Sequence, residues 1–291
     1  MHRKLLFFAL ATAAAVSAQP LADAVHSRIA GFEGTVSLYA KNLDTGATFG
    51  IRESQPVRTA STIKLAILCS VFDAVARGQA KWTDPLTVTA KEQVSGSGVI
   101  GSEFSAGVQL PLSDVAHLMI VLSDNTATNM ILERFTTDSV NAYLDRIGIH
   151  TTRSLRKISM SRGVSEAGKL PENRKYGIGV STPHDIVTIL ERLEAGEIVS
   201  QEASKEILAI LKRCQDNTGI RRRAGDAPVA NKTGALDALR ADVGIVYSKG
   251  GRIAMAIYAD DMPKPVWTPD NPGSLLIADV SKILVDGLGK K

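Results

Sequence analysis

The sequence predicts an α/β (α+β) fold: an antiparallel sheet built from both chain ends and flanked by helices, with an all-helical lobe inserted between them. Three observations lead there. Strand-like alternation is confined to residues 34–51 and to residues 229–233, 242–247 and 252–259. Between these ends, apolar residues recur at helical spacing in one run after another. The length of the chain allows one large domain or two interlocked lobes. The expected division is residues 19–58 with 214–291 as the sheet lobe and residues 59–213 as the helical lobe, with the active site between them.

The chain opens on Met1-His2-Arg3-Lys4, continues with an apolar run, and reaches the small residues Ser17 and Ala18. This order reads as a secretory signal peptide, residues 1–18, cleaved after Ala18. The run is too short to span a membrane. A periplasmic or secreted location follows. Loss of Arg3 and Lys4 takes the formal charge from +4 to +2, which gives no argument for nucleic acid binding. Arg221-Arg222-Arg223, the one dense basic run, reads as a solvated helix end. The five histidines are scattered without partners at ligand spacing, so neither a metal nor a cofactor is expected. Cys69 and Cys214 read as two free, buried thiols.

In chain order, residues 21–29 have helical spacing, and residues 34–39 and 47–51 form a hairpin around Asp44-Thr45-Gly46. A buried helix opens at Ser61. Residues 82–89 look irregular. Residues 95–107 form a Gly- and Ser-rich loop containing Gly96-x-Gly98-x-x-Gly101; no helix-forming run follows, so a cleft-edge or surface loop is expected rather than a dinucleotide site. Ser113 is expected to cap a helix that stops at Ser123-Asp124-Asn125. Helices over residues 126–135 and 140–147 follow. Residues 151–176 are cationic and aperiodic, an extended loop of functional length. Ser181-Thr182-Pro183 starts a helix with proline in its first turn. Helices over 201–213 and 275–288 complete the set.

The chemistry is expected at Ser61-Thr62-Ile63-Lys64. Residues three apart share a helix face, so Ser61 and Lys64 project together. A hydroxyl needs an adjacent base to become a nucleophile. A lysine amine serves as that base once burial and nearby positive charge lower its pKa. A second Ser-x-x-Lys, Ser154 to Lys157, lies in an irregular cationic stretch with no apolar run to bury its lysine, and it is read as structural.

Two polar corners stand with Ser61-x-x-Lys64: Ser123-Asp124-Asn125, and Lys232-Thr233-Gly234 on a strand. Together, in this order, they resemble the motif set of class A β-lactamases and penicillin-binding proteins. The chain resembles the class A β-lactamase family over essentially its whole mature length. The resemblance implies a fold and a set of roles. Ser61 attacks the carbonyl of a β-lactam or of an acyl-D-Ala-D-Ala-like peptide, and Lys64 takes its proton. Ser123 relays a proton to the departing nitrogen. Asn125 binds the substrate's side-chain amide, and Asp124 holds the corner. Lys232 and Thr233 face the substrate carboxylate, and Gly234 permits close approach. The N–H groups of Ser61 and Ala235 form the oxyanion hole. Arg240 adds positive charge near the carboxylate.

One part of the family pattern is missing. The glutamate that activates the deacylating water, followed four residues later by asparagine, is expected near residues 159–161, where the chain reads Ile158-Ser159-Met160-Ser161-Arg162. Glu166 and Glu172 are the nearest acids, and neither has an asparagine four residues on. The leading expectation is therefore a monomeric class A β-lactamase-like serine hydrolase whose acylation is better supported than its turnover. The alternatives are a D,D-carboxypeptidase-like peptidoglycan enzyme and a penicillin-binding acyl trap or sensor.

Overall fold

The computed structural model describes residues 9–159 and 162–289. Residues 1–8 of the expected signal segment lie outside the described residues. From Ala9 the chain forms one helix, α1 (Ala9–Ile29), which runs through the expected cleavage point and through Pro20. Strands β1 (Thr35–Asn42) and β2 (Thr48–Ile51) form the expected hairpin, turning at Gly46 with φ 77°. A short β3 (Val57–Arg58) leads into a 3-10 turn, Ala60–Ile63, and then α2 (Lys64–Ala76).

Residues 82–89 are more ordered than their sequence indicates. There β4 (Pro85–Thr87) pairs antiparallel with a later strand, and between the two lies a one-turn helix, α3 (Ile100–Glu103), inside the Gly-rich stretch. The partner is β5 (Gln109–Pro111). Helix α4 (Leu112–Val121) follows it directly, with Pro111 rather than Ser113 at its N-cap; the Ser113 hydroxyl bonds Asp114 instead. Helices α5 (Asn125–Phe135) and α6 (Thr137–Arg146) complete the central group. The expected extended loop is folded in pieces: β6 (Arg153–Ser154), α7 (Glu166–Lys169), a 3-10 turn Pro171–Tyr176, and β7 (Gly179–Ser181) paired with β3 and β6.

Helix α8 (Pro183–Glu194) is capped by Thr182 through Asp185 N, and α9 (Gln201–Lys212) by Ser200. The C-terminal strands are β8 (Val229–Leu236), β9 (Leu239–Ser248) and β10 (Gly251–Asp260), and α10 (Pro272–Leu288) starts with Asn271 as cap and proline in its first turn.

One antiparallel sheet in the order β2-β1-β10-β9-β8 joins the two ends of the chain, with Thr35 opposite Asp260. Side chains alternate along β10. Ile253, Met255 and Ile257 enter the core shared with α1 and α10, whereas Ala254, Ala256 and Tyr258 face the larger core of the helical part. Helix α8 closes that second face, lying across β1, β9 and β10. Helix α2 runs through the middle of the larger core, with ten of its thirteen residues buried. Being apolar all round, it can only be an interior helix. Each fully buried Leu or Ile contributes about 1.5–3 kcal/mol, and Leu65, Ile67 and Leu68 are no more than 1% exposed. That packing offsets the burial of Lys64 at the head of the helix.

Two sequence readings need correction. Arg221, Arg222 and Arg223 do end a short 3-10 turn, Ile220–Arg223, with the last two exposed, but they also act as tethers: Arg221 donates to Asn231 and to the carbonyls of Lys212 and Val229, Arg222 pairs with Asp270, and Arg223 with Asp279. Lys157 is buried after all. It lies between Glu92 and Glu133, and Arg162 bonds the other oxygen of Glu92. Local sequence carries no sign of this because both glutamates come from distant segments. The Lys157 amine is committed to two carboxylates and is no base for Ser154. Removing one partner from a buried ion cluster is strongly destabilising. Lys157→Met is expected to lower unfolding free energy by about 3 kcal/mol, read from urea denaturation. Neutralising the half-exposed Glu133 by Glu133→Gln is expected to lower it by less than about 1 kcal/mol.

Candidate active site

Ser61 sits in the 3-10 turn Ala60–Ile63, three residues before Lys64, and in such a turn residues three apart stack over one another. The residue before it, Ala60, has φ 44°, a left-handed conformation that a non-glycine residue holds only when its surroundings enforce it. The surroundings are rigid. Thr62 Oγ1 donates to Thr59 O at 2.8 Å and lies 3.2 Å from the buried Tyr258 hydroxyl. On the other side, Gly234 brings β8 against the turn: a Cβ there would lie 2.9 Å from Thr59 O and 3.2 Å from Ser61 N. The missing side chain thus sets the Ser61 N–H beside the backbone that leads into Ala235.

The second corner is held by its buried aspartate. Asp124 caps α5 through Ala127 N and also accepts from Val99 N and Ile100 N at 2.7 and 2.9 Å. The Gly-rich stretch packs on it closely. A Cβ at Gly98 would lie 2.3 Å from the Asp124 carboxylate, and one at Gly96 2.7 Å from Asn125 Nδ2. Those glycines belong to a cleft-edge loop bound to the corner, with Asn125 N and Nδ2 donating to Ser97 O and Ser95 O. Ser123 also has positive φ, 54°.

The two corners and α2 converge. Lys64 Nζ donates to Ser123 O at 2.7 Å, Asn125 Oδ1 at 3.0 Å and Ser123 Oγ at 3.2 Å. Lys232 Nζ reaches the same Ser123 Oγ at 2.9 Å and Thr233 O at 2.8 Å. One hydroxyl thus bridges two lysines, each fully buried. Burial pushes the Lys64 pKa well below its ordinary 10.5, the positive charge of Lys232 lowers it further, and Asp124 opposes both. Burial also lowers Lys232, against the carboxylates of Asp216 and Asp242. Such a pair can keep one amine neutral as a proton acceptor while the other stays cationic.

Ser61, Ser123, Asn125, Thr233, Gly234 and Ala235 line one cleft of about 910 Å³, with Lys64 and Lys232 behind it. Arg240 does not line it. Its guanidinium donates to the carbonyls of Leu236, Leu239 and Val266 and stacks on Trp267. Nor do Glu166 and Glu172: both are exposed, and Glu166 pairs with Lys169. Of the residues where a deacylating glutamate was expected, Ser159 lines the cleft, and Met160 and Ser161 lie outside the described residues. Cys214 lines the cleft as a buried thiol, and Cys69 lies within the core; both are free.

The sequence reading missed Asn129. Its side chain accepts from Ile158 N at 2.9 Å and donates to Ile158 O at 3.1 Å, fastening the loop's cleft-facing residue to α5. Asn129 follows Asn125 by four residues, one turn along the same helix face, and that spacing was the available signal. Ile158 is thus the loop side chain held by both backbone groups at the cleft.

The fold and this pair of lysines around one serine define an acyl-serine hydrolase. The sequence pattern of the Beta-lactamase enzyme family matches residues 20–288, and the chain belongs to that family. Beta-lactamase SME-1 of Serratia marcescens is 22% identical over 267 residues, covering 88% of this chain and 85% of that protein. A β-lactamase structure from Sphaerobacter thermophilus superposes with TM-score 0.80 at 27% identity, covering 93% of this chain and 97% of its own. A mutant of PBP-A, captured as an acyl-enzyme complex with penicillin G, superposes with TM-score 0.78 at 29% identity, covering 92% and 96%. The chain is a class A β-lactamase-like serine hydrolase.

An amine accepts a proton only when neutral, so with Lys64 as the base the acylation rate is expected to rise with pH as Lys64 loses its proton and then level off. That rise should lie well below pH 10.5. Lys64→Met is expected to slow acylation by about 10²–10⁴-fold and to remove this limb, as measured by stopped-flow with a chromogenic cephalosporin.

Proposed function

We propose that Ser61 is acylated by β-lactams and that the acyl-enzyme is released slowly. The observation that carries this reading is the convergence of Lys64 and Lys232 on Ser123, in the cleft that Ser61 also lines. Neutral Lys64 takes the Ser61 proton as Oγ attacks the lactam carbonyl. The oxyanion is met by the N–H groups of Ser61 and Ala235, each such donor being worth about 10²–10³ in rate. As the C–N bond breaks, the departing nitrogen receives a proton through Ser123, which lies within reach of both lysines. Lys232 and Thr233 bind the substrate carboxylate, and Asn125 binds the acyl-side amide.

Deacylation needs water activated by a base. Among the described residues the one acid lining the cleft is Asp216, and its carboxylate accepts from Thr218 N and Oγ1. At the point where Asn129 fastens the loop, the chain presents the apolar side chain of Ile158. The acyl-enzyme therefore persists. A second reading, D,D-carboxypeptidase-like action on acyl-D-Ala-D-Ala peptides, uses the same acylation groups. We also propose that the protein is exported, cleaved after Ala18, and acts as a monomer. Leu21 and Val25 of α1 stay packed in the core with α10 after such a cut.

Mixing the protein with a chromogenic cephalosporin is expected to give one equivalent of product per protein, then a slow steady rate, with a penicillin adduct on Ser61 by mass spectrometry. Ser61→Ala is expected to show neither; hydrolysis by that variant would sink the assignment. Ile158→Glu is expected to raise the deacylation rate on the order of 10²-fold, with acylation little changed. Fast turnover by the parent protein would contradict the slow-release reading. N-terminal sequencing of protein from the bacterial periplasm is expected to begin at Gln19.

A further inference from the structure

The catalytic lysines are both internal, yet the cleft carries further cations at its mouth. Arg156, Arg174 and Lys175 line the same cavity as Ser61, all on the wall that includes Ile158, Ser159 and residues 174–178 rather than on β8. All three are exposed. Some other cations of this chain are neutralised by acids, among them Arg58 of the same cleft with Asp260, Arg162 with Glu92, Arg222 with Asp270 and Arg252 with Asp44. Among the described residues, no carboxylate lies within ion-pair distance of Arg156, Arg174 or Lys175. Lys175 instead stands 5.0 Å over the ring of Tyr176, another cleft residue. The cleft's one acid, Asp216, is engaged by Thr218.

The wall is also fixed in place. Asn129 holds Ile158 by both backbone groups, Leu155 N donates to Ile178 O, and Thr59 N donates to Gly179 O. Three positive charges without a carboxylate partner among the described residues are therefore carried on a wall whose backbone is tied down at Leu155, Ile158, Ile178 and Gly179. A cleft lined by one sign of charge attracts ligands of the opposite sign and raises their encounter rate. The carboxylate common to β-lactams and D-alanyl peptides is already served by Lys232 and Thr233 on β8, so this wall has an anion to spare for.

We propose that Arg156, Arg174 and Lys175 select acyl donors that carry a second anion, a carboxylate on the acyl side chain, such as a β-lactam with an acidic side chain or an acidic peptide ending in D-Ala-D-Ala. This rests on the acyl-enzyme reading above and deepens it by naming the substrate class. The three residues are specificity residues; they donate ion pairs to the bound chain and take no part in proton transfer. Exposed ion pairs are individually weak, so the selection comes from three acting together and is sensitive to salt.

The test compares benzylpenicillin with its α-carboxy counterpart, which differs by one carboxylate on the acyl side. The parent protein is expected to be acylated about 5- to 10-fold faster by the dianion at low ionic strength, taking a modest contribution from each of three exposed pairs. That ratio should shrink towards one as salt is raised to about 0.5 M. In Arg156→Gln/Arg174→Gln/Lys175→Gln the ratio should fall to about one at low salt as well, with circular dichroism verifying the fold. An equal rate for the two penicillins in the parent, or a preference insensitive to salt, overturns the proposal. So does a preference that survives in the folded triple variant. Ser61→Ala separates this from the acylation chemistry, since equilibrium binding to it needs no adduct: the dianion should bind it several-fold more tightly. Tighter dianion binding to Ser61→Ala without any adduct on the parent would refute the acyl-enzyme reading and leave the charge selection standing.

Discussion

The hydroxyl of Ser123 lies between two buried amines, and the rest of the structure is arranged to keep it there. Burying one lysine is costly unless it is paired or discharged. Burying two within reach of a single oxygen forces the question of which carries the proton. Lys64 has three oxygen partners but no carboxylate bonded to its nitrogen, and burial and the neighbouring charge act in the same direction on it. The deprotonated amine is the state this environment favours. It places an amine able to accept a proton three residues from a serine held on a strained turn.

That arrangement needs three elements distant in sequence to meet to within a fraction of an ångström. The interior helix α2 fixes Lys64, since its apolar surroundings leave no room to shift. Strand β8 fixes Lys232 and, at Gly234, comes close enough to the Ser61 turn for its backbone to share the site. Asp124 fixes the middle corner by joining α5 to the Gly-rich edge loop. The positive φ values of Ala60 and Ser123 mark where backbone strain is held at the points of convergence.

Much of this was legible in the sequence because it depends on local chemistry. Periodicity located α2, α5, α8 and the three long C-terminal strands, and the turn at Gly46 revealed the first hairpin. The polar corners stood out because each interrupts an apolar run. What stayed hidden depends on partners remote along the chain. Lys157 looked exposed because Glu92 and Glu133, which neutralise it, are dozens of residues away. The same cause concealed the tethering of Arg221, Arg222 and Arg223. The short strands β4 and β5 exist only by pairing with one another, and three residues give too little alternation to be read. Arg240 reads from sequence as lying between two strands; it is in fact the second residue of β9, and nothing local tells that its guanidinium turns to the carbonyls of Leu236, Leu239 and Val266. The absent glutamate was legible as an absence, whereas the part played by Ile158 required the Asn129 contacts to be seen.

Acylation depends most on the protonation state of one amine. Site-resolved NMR of a ¹³C-labelled Lys64 side chain, followed across pH in the unacylated protein, measures it directly. The account predicts a titration midpoint well below the ordinary 10.5, moving upward when Lys232 is replaced by a neutral residue. A Lys64 signal that stays protonated up to the ordinary lysine range, or that ignores the replacement of Lys232, would contradict it.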